Sequence, residues 1–227
     1  MRQRLAQELL DDDAGTAEEI ARSLDDLGWI HQHLGGVASW RQLFNAWARA
    51  AAPLPARLRL LDVGAGTGVV TASLRELLAA RGCPAQAWAL DRRRSHLQPQ
   101  TCPSLAADAY RLPFADRSWD LVTCNLFLHH FHNRPGLPQA QLLLTELTRV
   151  ARCAVLINDL ERHWLAYLTI RLMAPRFSRL TRYDGPRSVR QAYTAPELEA
   201  LAAGRSHQLL KLSHYRLGLI LWCGHGL

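Results

Sequence analysis

The sequence predicts an α/β fold: a doubly wound, mostly parallel sheet of seven strands with helices on both faces. Short apolar runs alternate with helical segments between residues 57 and 159, which is typical of a parallel sheet. A glycine-rich turn follows the first of these runs. The chain has 227 residues, 48% of them hydrophobic, which suffices for one sizeable core. We therefore expect a single domain over 1–227.

Residues 1–56 are predicted to form an N-terminal helical cap. "TAEEIARSLDDLG" begins with Thr16 and Glu19 at capping-box spacing. Gly35-Gly36 separates this helix from a second one. The segment "AAPLPA" (51–56) ends the cap. The apolar stripes of the two helices are Ile20, Leu24 and Leu27, and Val37, Trp40, Phe44 and Trp47.

Residues 57–159 are predicted to form the core of the sheet. The strands are "RLRLLDV", "PAQAWALD", "SLAADA", "SWDLVTCNL" and "CAVLIND". The helices are "TGVVTASLRELLAARG", closed by Gly82, and "PQAQLLLTELTRVA".

The rest of the chain is predicted to form a lid over the acceptor and the C-terminal edge of the sheet. Residues 160–193 form an apolar, aromatic insert, expected to be a mobile lid, in which Asp184-Gly185-Pro186 indicates a turn. Residues 194–227 hold the last helix, capped by Thr194 and Glu197, and two strand-like runs, "HQLLKLSHY" and "RLGLILWC". We expect those runs to pair as an antiparallel hairpin at the C-terminal edge of the sheet.

Composition limits the classes of function. The formal net charge is +7, carried almost wholly by arginine, and it is compatible with nucleic acid, an anionic membrane face or an anionic substrate. The five scattered cysteines lack a C-x-x-C pair and are interpreted as reduced. The start of the chain resembles no secretory signal, and no apolar run is long enough to span a membrane. A cytoplasmic location is expected.

"LLDVGAGTG" (60–68) is the most informative stretch. A glycine-rich turn from a strand into a helix lets the backbone approach a ligand closely. The spacing is G-x-G-x-G and not G-x-G-x-x-G, and the lysine of a phosphate-binding loop is missing. Neither common phosphate-binding loop fits well.

This stretch resembles motif I of class I S-adenosylmethionine-dependent methyltransferases, and the resemblance extends over about residues 57–227. It implies a Rossmann-like fold, S-adenosylmethionine as cofactor and S-adenosylhomocysteine as product. In that family, an acidic residue at the end of the second strand holds the ribose hydroxyls, which implies this role for Asp91 in "WALD". The cofactor-binding residues implied are Asp62, Gly64, Ala65, Gly66, Gly68, Asp91, Arg92, Asp108, Ala109, Asn125 and Leu126.

The residues after the fourth strand bear on the acceptor. "NLFLHH" lacks the Pro-Pro-aromatic signature of amide and amino-nitrogen methylation, and Cys124 lacks the proline of cytosine-C5 enzymes. The stretch instead resembles the small-molecule and quinone-type branch. "NDLERHW" and "TRYDGPRSVRQAYT" resemble a bacterial subgroup with polyketide-like phenolic substrates, which implies secondary metabolism.

We therefore expect methyl transfer to oxygen or carbon of a small, hydrophobic or aromatic acceptor. A hydroxyl acceptor must lose a proton, and His130, His129 and His163 are the candidate bases. Trp164, Tyr167 and Tyr183 are the candidate acceptor-binding residues. No metal and no nucleic acid are expected, and peripheral membrane contact and the oligomeric state stay open. The alternatives are an RNA methyltransferase and a non-catalytic cofactor-binding protein.

Overall fold

The computed structural model describes residues 1–51, 54, 56–98 and 100–224. Its main sheet has seven strands in the order β3-β2-β1-β4-β7-β9-β8. The first five are parallel to one another, whereas β9 is antiparallel to both β7 and β8. The strands of this sheet are β1 (Leu58–Val63), β2 (Ala85–Asp91), β3 (Ser104–Ala106), β4 (Trp119–Asn125), β7 (Ala151–Leu160), β8 (His207–Leu212) and β9 (Arg216–Trp222).

This topology confirms the predicted doubly wound sheet and its antiparallel C-terminal hairpin. A separate two-stranded ribbon of β5 (Asn133–Arg134) and β6 (Leu137–Pro138) follows a short 3₁₀ turn at Leu128–His130. The helices are α1 (Ala17–His33), α2 (Gly36–Ala50), α3 (Val69–Ala79), α4 (Gln139–Val150), α5 (Trp164–Met173), α6 (Arg179–Gln191) and α7 (Ala195–Ala202).

Two apolar layers form the core, one on each face of the sheet. On one face, Leu143 and Leu147 of α4 pack with Val155 and Ile157 of β7. On the other face, residues of α2 and α3 pack against alternate positions of the same strands, such as Leu156. Because side chains alternate along a strand, a central strand supplies both layers, and β4 and β7 are accordingly buried along almost their whole length.

The two N-terminal helices begin as the sequence predicts. The Thr16 hydroxyl accepts the Glu19 N–H, and the Glu19 carboxylate accepts the Thr16 N–H, so the capping box is complete. Most of the predicted stripes are buried, but Leu27 and Val37 are exposed. The predicted end of the cap at 51–56 lies partly outside the described residues.

The turn predicted at Asp184-Gly185-Pro186 is wrong, since all three residues lie inside α6. Gly185 is needed for packing: an added Cβ would lie 2.9 Å from Ile170 of α5, so the glycine lets the two helices approach closely. Asp184 is buried and accepts the N–H groups of Leu9 and Leu10. Tertiary contacts thus hold the helix through a proline that would favour a break in isolation.

The parallel strands end at one edge of the sheet, and a segment of the N-terminus lies across it. We call residues 3–13 the cover segment. Its Leu10–Asp12 form a short 3₁₀ turn, and its backbone is tied to α6. The predicted capping box at Thr194 and Glu197 of α7 is confirmed. Within the described ranges, no helix is long and apolar enough to cross a membrane.

Candidate active site

The glycine loop joins β1 to α3. Gly64, Gly66 and Gly68 have φ angles of 72°, 53° and 77°, in the left-handed region. Residues with a Cβ rarely adopt this backbone conformation, so the loop selects glycine at all three positions. The loop turns the chain from the buried strand into the helix within a few residues.

Two of the glycines are also required by packing inside the protein. A Cβ on Gly64 would lie 2.4 Å from the ring of Phe127, and a Cβ on Gly68 would lie 2.8 Å from the Cys102 sulfur. Both distances are far below van der Waals contact. At these two positions, the lack of a Cβ lets the protein's own side chains pack directly against the backbone.

Gly66 is the glycine that faces open space. Among the described residues, the only atom within 4 Å of an added Cβ is a Leu24 methyl carbon at 3.8 Å. The Gly66 N–H donates to Asp91 Oδ2 at 3.0 Å, and the Arg93 N–H donates to Asp91 Oδ1 at 2.9 Å. The end of β2 is thus joined to the glycine loop, with a partly exposed carboxylate beside the open glycine.

Asp62 lies beneath this loop and not on its surface. It is 1% exposed, and its two oxygens accept the hydroxyls of Thr71 at 2.6 Å and Thr123 at 2.8 Å. Burial raises the pKa of Asp62 to about 6, although both hydroxyls oppose the shift. Asp62 thus joins β1 to α3 and β4 beneath the loop, and its expected roles, capping the backbone of the loop or contacting the cofactor through water, stay predictions.

The other residues predicted to bind the cofactor near this loop differ in their exposure and in their contacts. Asp108 is exposed after β3 and accepts the Tyr110 N–H, and the neighbouring Ala109 is buried. Ala65 lies in the glycine loop, where its N–H donates to the Leu90 carbonyl of β2. Arg92 is exposed, and its guanidinium donates to the Asp11 carbonyl of the cover segment.

The end of β4 carries a strained backbone. Leu126 has a φ of 49°, which is unusual for a large side chain and is typical of functional sites. Before it, Asn125 Oδ1 accepts the Trp40 indole N–H at 2.8 Å and the Asn158 amide at 3.2 Å. These contacts connect β4, β7 and α2 at the edge of the sheet.

These residues fit S-adenosylmethionine. The Asp91 carboxylate retains exposed surface and has further acceptor capacity, which suits a vicinal diol. Gly66 offers an open backbone face next to it. The site thus has a hydrogen-bond acceptor for the ribose hydroxyls next to an open glycine backbone, at the ends of adjoining strands.

His129 and Asp159 form a buried pair at the same edge. His129 Nδ1 lies 2.7 Å from Asp159 Oδ1, and the His129 backbone N–H donates to Asp159 Oδ2 at 3.0 Å. Burial would raise the pKa of Asp159, but His129 and the backbone donors outweigh it and lower the pKa. His129 Nε2 points toward Glu8 of the cover segment, whose nearest oxygen is 3.8 Å away.

His130 has a different environment. Its Nδ1 lies 2.8 Å from Asp11 Oδ2 of the cover segment. Burial would lower the pKa of His130, but the carboxylates of Glu8, Asp11 and Asp159 outweigh it and raise the pKa to about 9. At neutral pH His130 is therefore a cation, which makes it a poor proton acceptor.

The rings of His129 and His130 lie close together, which bears on whether a metal could bind here. Consecutive side chains usually point to different sides of a helix or strand, but the 3₁₀ turn at Leu128–His130 places the two ring centroids 4.3 Å apart. Glu8, His129 and His130 each offer a ligand atom, and these atoms lie within 4.8 Å of one another. The expectation that no metal is needed stays a prediction.

The remaining predicted residues lie apart from this cluster. His163 caps α5, where its Nδ1 accepts the Leu165 N–H at 3.2 Å and its ring stacks on Tyr215. Trp164 and Tyr183 are exposed on the lid helices. Tyr167 lines a cavity between α5, α6 and the cover segment. The predicted acceptor-binding set is thus divided between the protein surface and that cavity.

Sequence reasoning missed three buried polar residues beside the site. Glu8 accepts the Ser188 hydroxyl and the Gln191 amide, both at 2.7 Å, and thereby faces His129. Arg216, 2% exposed, begins β9 next to the end of β7, and one of its nitrogens has no partner among the described residues. Both ring nitrogens of buried His31 also lack partners among them. No motif marks these positions, since each depends on contacts with distant segments.

Comparison with known proteins agrees with this geometry. The family described as "Methyltransferase domain" matches residues 61–154, which span the glycine loop, Asp91, Asp108 and β4. The chain contains a class I S-adenosylmethionine-dependent methyltransferase domain. This methyltransferase domain takes S-adenosylmethionine as its cofactor, and the resemblance noted in its sequence is confirmed.

Two curated relatives match the methyltransferase domain. One is the biotin biosynthesis bifunctional protein BioHC of Cellvibrio japonicus, 30% identical over 176 residues, which are 72% of this chain and 32% of the relative. The other is demethylmenaquinone methyltransferase of Corynebacterium urealyticum, 32% identical over 122 residues, 52% of either chain. The chain therefore spans about half or less of the length of these relatives.

Solved structures share the fold at low sequence identity. The plantazolicin methyltransferase BpumL has a TM-score of 0.66 at 11% identity, with 95% of this chain and 97% of that chain covered. A methyltransferase from Aquifex aeolicus has a TM-score of 0.57 at 15% identity, with 88% and 98% covered. Both likenesses bear on the fold of the methyltransferase domain.

Proposed function

We propose that this protein transfers a methyl group from S-adenosylmethionine to a small acceptor, with His129 as general base. The observation that carries the proposal is the buried His129–Asp159 pair at the edge where the glycine loop and Asp91 also lie. The cofactor supplies a methyl group on a sulfonium, so the residues of the chain have to orient the acceptor and remove its proton.

Asp159 determines which nitrogen of His129 reacts. A carboxylate on Nδ1 favours the tautomer with its proton on that atom, which leaves the lone pair on Nε2. Nε2 is then the atom that accepts a proton from a hydroxyl or from an acidic carbon. The second contact of Asp159, to the His129 backbone, holds the ring in place.

We assign His130 an electrostatic role, different from that of His129. The carboxylates of the cover segment raise the pKa of His130 to about 9 and keep it charged at neutral pH, and an acceptor oxygen that develops negative charge in their place would be stabilised by the same cation. Asp11 and Glu8 compensate that charge in the conformation described here. The acceptor therefore has to displace part of the cover segment, which we infer acts as a gate together with the lid helices.

The proposed acceptor class is supported by the names of a relative and of structures with a similar fold. One relative is named demethylmenaquinone methyltransferase, and structures of similar fold include a plantazolicin methyltransferase and the CurJ carbon methyltransferase. We infer a hydrophobic or aromatic small molecule of phenolic, polyketide-like or quinone-like chemistry. The scattered spacing of the five cysteines, without a C-x-x-C pair, fits a reducing cytoplasm.

The test begins with an unbiased labelling experiment. Cell extract is incubated with the protein and methyl-labelled S-adenosylmethionine, with and without EDTA, and the labelled product is identified. His129→Gln is expected to lower turnover by about 10²–10⁴-fold with cofactor affinity unchanged. His163→Gln, which removes a histidine that caps α5, is the matched control and should retain turnover.

Other results of the labelling experiment would indicate a different function. Label in the RNA fraction would indicate an RNA methyltransferase. Cofactor binding without any labelled product would indicate a non-catalytic protein. Full turnover by His129→Gln would refute the general base, and loss of activity in EDTA that added metal restores would assign Glu8, His129 and His130 to a metal.

A further inference from the structure

Helix α5 is apolar, yet it is not part of the core. All ten of its residues are described, and none is buried. Trp164, Leu168 and Leu172 are 60%, 45% and 71% exposed, and their spacing of four residues places them on one face. We call these three residues the apolar ridge. Contiguous exposed apolar surface of this kind marks an interaction site.

A cavity of about 610 Å³ lies beside the ridge, between α5, α6 and the cover segment. Tyr167 and Arg171, on the neighbouring stripe of α5, form one of its walls. The cavity also has apolar lining, including Leu5, Pro175 and Pro186. We call the five arginines that line it the arginine basin: Arg4, Arg171, Arg182, Arg187 and Arg190.

The charges of the basin are not balanced by carboxylates of the described residues. In the described part of the chain, no ion pair involves any of the five arginines. Arg187 packs over the ring of Tyr183 at 3.3 Å, and the Nε of Arg190 is buried without a hydrogen-bond partner. These guanidinium groups therefore retain donors for an external anion.

The nearby carboxylates of α6 and the cover segment are engaged elsewhere. Asp184 accepts the backbone N–H groups of Leu9 and Leu10, and Glu8 accepts donors from Ser188 and Gln191. None of these six residues lines the basin. The surface thus combines an apolar ridge with concentrated positive charge.

We propose that α5 and the arginine basin dock the protein on an anionic lipid bilayer. The apolar ridge enters the boundary between headgroups and acyl chains, and the basin holds lipid phosphates. A helix that is apolar on one face and flanked by arginine has the composition of an interfacial helix. A second copy of the chain is a poor occupant, since two molecules of formal charge +7 would repel each other there.

The proposal is independent of methyl transfer, because it concerns binding alone. Full-length protein is sedimented with vesicles of phosphatidylcholine, with and without phosphatidylglycerol. We expect binding that requires phosphatidylglycerol and weakens as salt is raised. Arg171→Gln/Arg187→Gln should weaken it by about 25-fold, at about fivefold per arginine. Leu168→Gln/Leu172→Gln should abolish sedimentation without lowering the Tm, because both side chains are exposed.

The matched control removes the same charge from another surface. Arg41 and Arg49 are exposed on α2, and Arg41→Gln/Arg49→Gln should bind vesicles within about twofold of the native protein, since it changes no charge near the ridge. Equal loss in this variant and the basin variant would overturn the proposal, as would equal binding to both kinds of vesicle.

Two further measurements separate other occupants. Soluble octyl phosphate is titrated below its micelle concentration. Basin-dependent binding of this probe with no vesicle binding would make the basin a small-molecule site and overturn the proposal. A concentration-dependent dimer that the ridge variant abolishes, again without vesicle binding, would assign the ridge to a second copy and overturn it as well.

Discussion

The glycine loop and the cover segment meet at the same edge of the sheet, but they are held by different forces. The loop is fixed by backbone geometry: three left-handed glycines, close packing of Phe127, and an aspartate that bonds to the backbone at Gly66. The cover segment is held mainly by charge and side-chain hydrogen bonds, among them the pair of Asp11 and His130. We call the glycine loop with Asp91 the cofactor half of the site, and the cover segment with the histidines it faces the covered half. The cofactor half is specified by steric exclusion, and the covered half by the protonation state of its side chains.

This difference predicts different sensitivities. Steric exclusion does not depend on pH or salt, so the cofactor half should respond to changes in side-chain volume. Charge contacts across long sequence separations depend on pKa values, so the covered half should respond to pH. The predictions below test this contrast, from the largest expected effect to the smallest.

Gly64→Ala and Gly66→Ala should differ sharply in stability. At Gly64 an added methyl group would meet the Phe127 ring at 2.4 Å in a left-handed backbone, so we expect a loss of ~3 kcal/mol or more. At Gly66 the added methyl group has space, and only the backbone strain of ~1 kcal/mol applies. Denaturant unfolding measures both. Equal losses would mean that packing does not distinguish the two glycines.

Stability should fall as pH rises from about 6.5 to 9 because of His130. Its folded pKa of about 9 exceeds the ordinary value of 6.5, so its stabilising contribution is complete below pH 6.5 and is lost as pH rises through 9. The expected loss is on the order of 2–3 kcal/mol. Buried His132, whose pKa burial lowers to about 4, acts at lower pH and does not interfere.

The measurement is urea unfolding at pH 7.0 and 9.5. His130→Gln should reduce the difference between the two pH values. The part that remains is expected from the cysteines, such as Cys124 and Cys223, because burial raises their pKa values. His33→Gln, at the exposed end of α1, is the control and should leave the pH dependence intact. A native pH dependence in His130→Gln would show that the cover segment is not held by this charge.

The cofactor half was largely predictable because its determinants are local in sequence. The glycine loop and Asp91 follow apolar strands directly, so a short pattern contains both the fold and the site. The same holds for the capping boxes at Thr16 and Thr194. The covered half was not predictable, because Glu8 and Asp11 lie more than 100 residues from the histidines they face.

The errors have the same origin. Asp184-Gly185-Pro186 has the composition of a turn, but contacts with α5 and the cover segment hold it helical. His163 was grouped with His129 by residue type, whereas the local geometry makes it a helix cap. Composition and spacing do not show which distant segment will pack on a residue, and that contact decides its role.

Asp91→Asn should weaken cofactor binding by ~2 kcal/mol, about 30-fold, because it removes a charged acceptor from the predicted ribose contact. Calorimetric titration with S-adenosylhomocysteine measures this. Asp11→Asn in the covered half is the control and should bind within about twofold of the native protein. Similar losses in the two variants would mean that the two halves are one energetic unit.

The smallest expected effect is the coupling between Asp11 and His130. Asp11 is half-exposed, so solvent screens the pair, and a double-mutant cycle of Asp11→Asn and His130→Gln should give ~0.5–1 kcal/mol at pH 7. The coupling should vanish at pH 9.5 and above, where His130 loses its charge. Coupling unchanged at high pH would mean that packing and not charge joins the cover segment to the site, and the contrast between the two halves would then be wrong. Coupling that disappears with the proton would identify the cover segment as the part of the site that opens as pH rises.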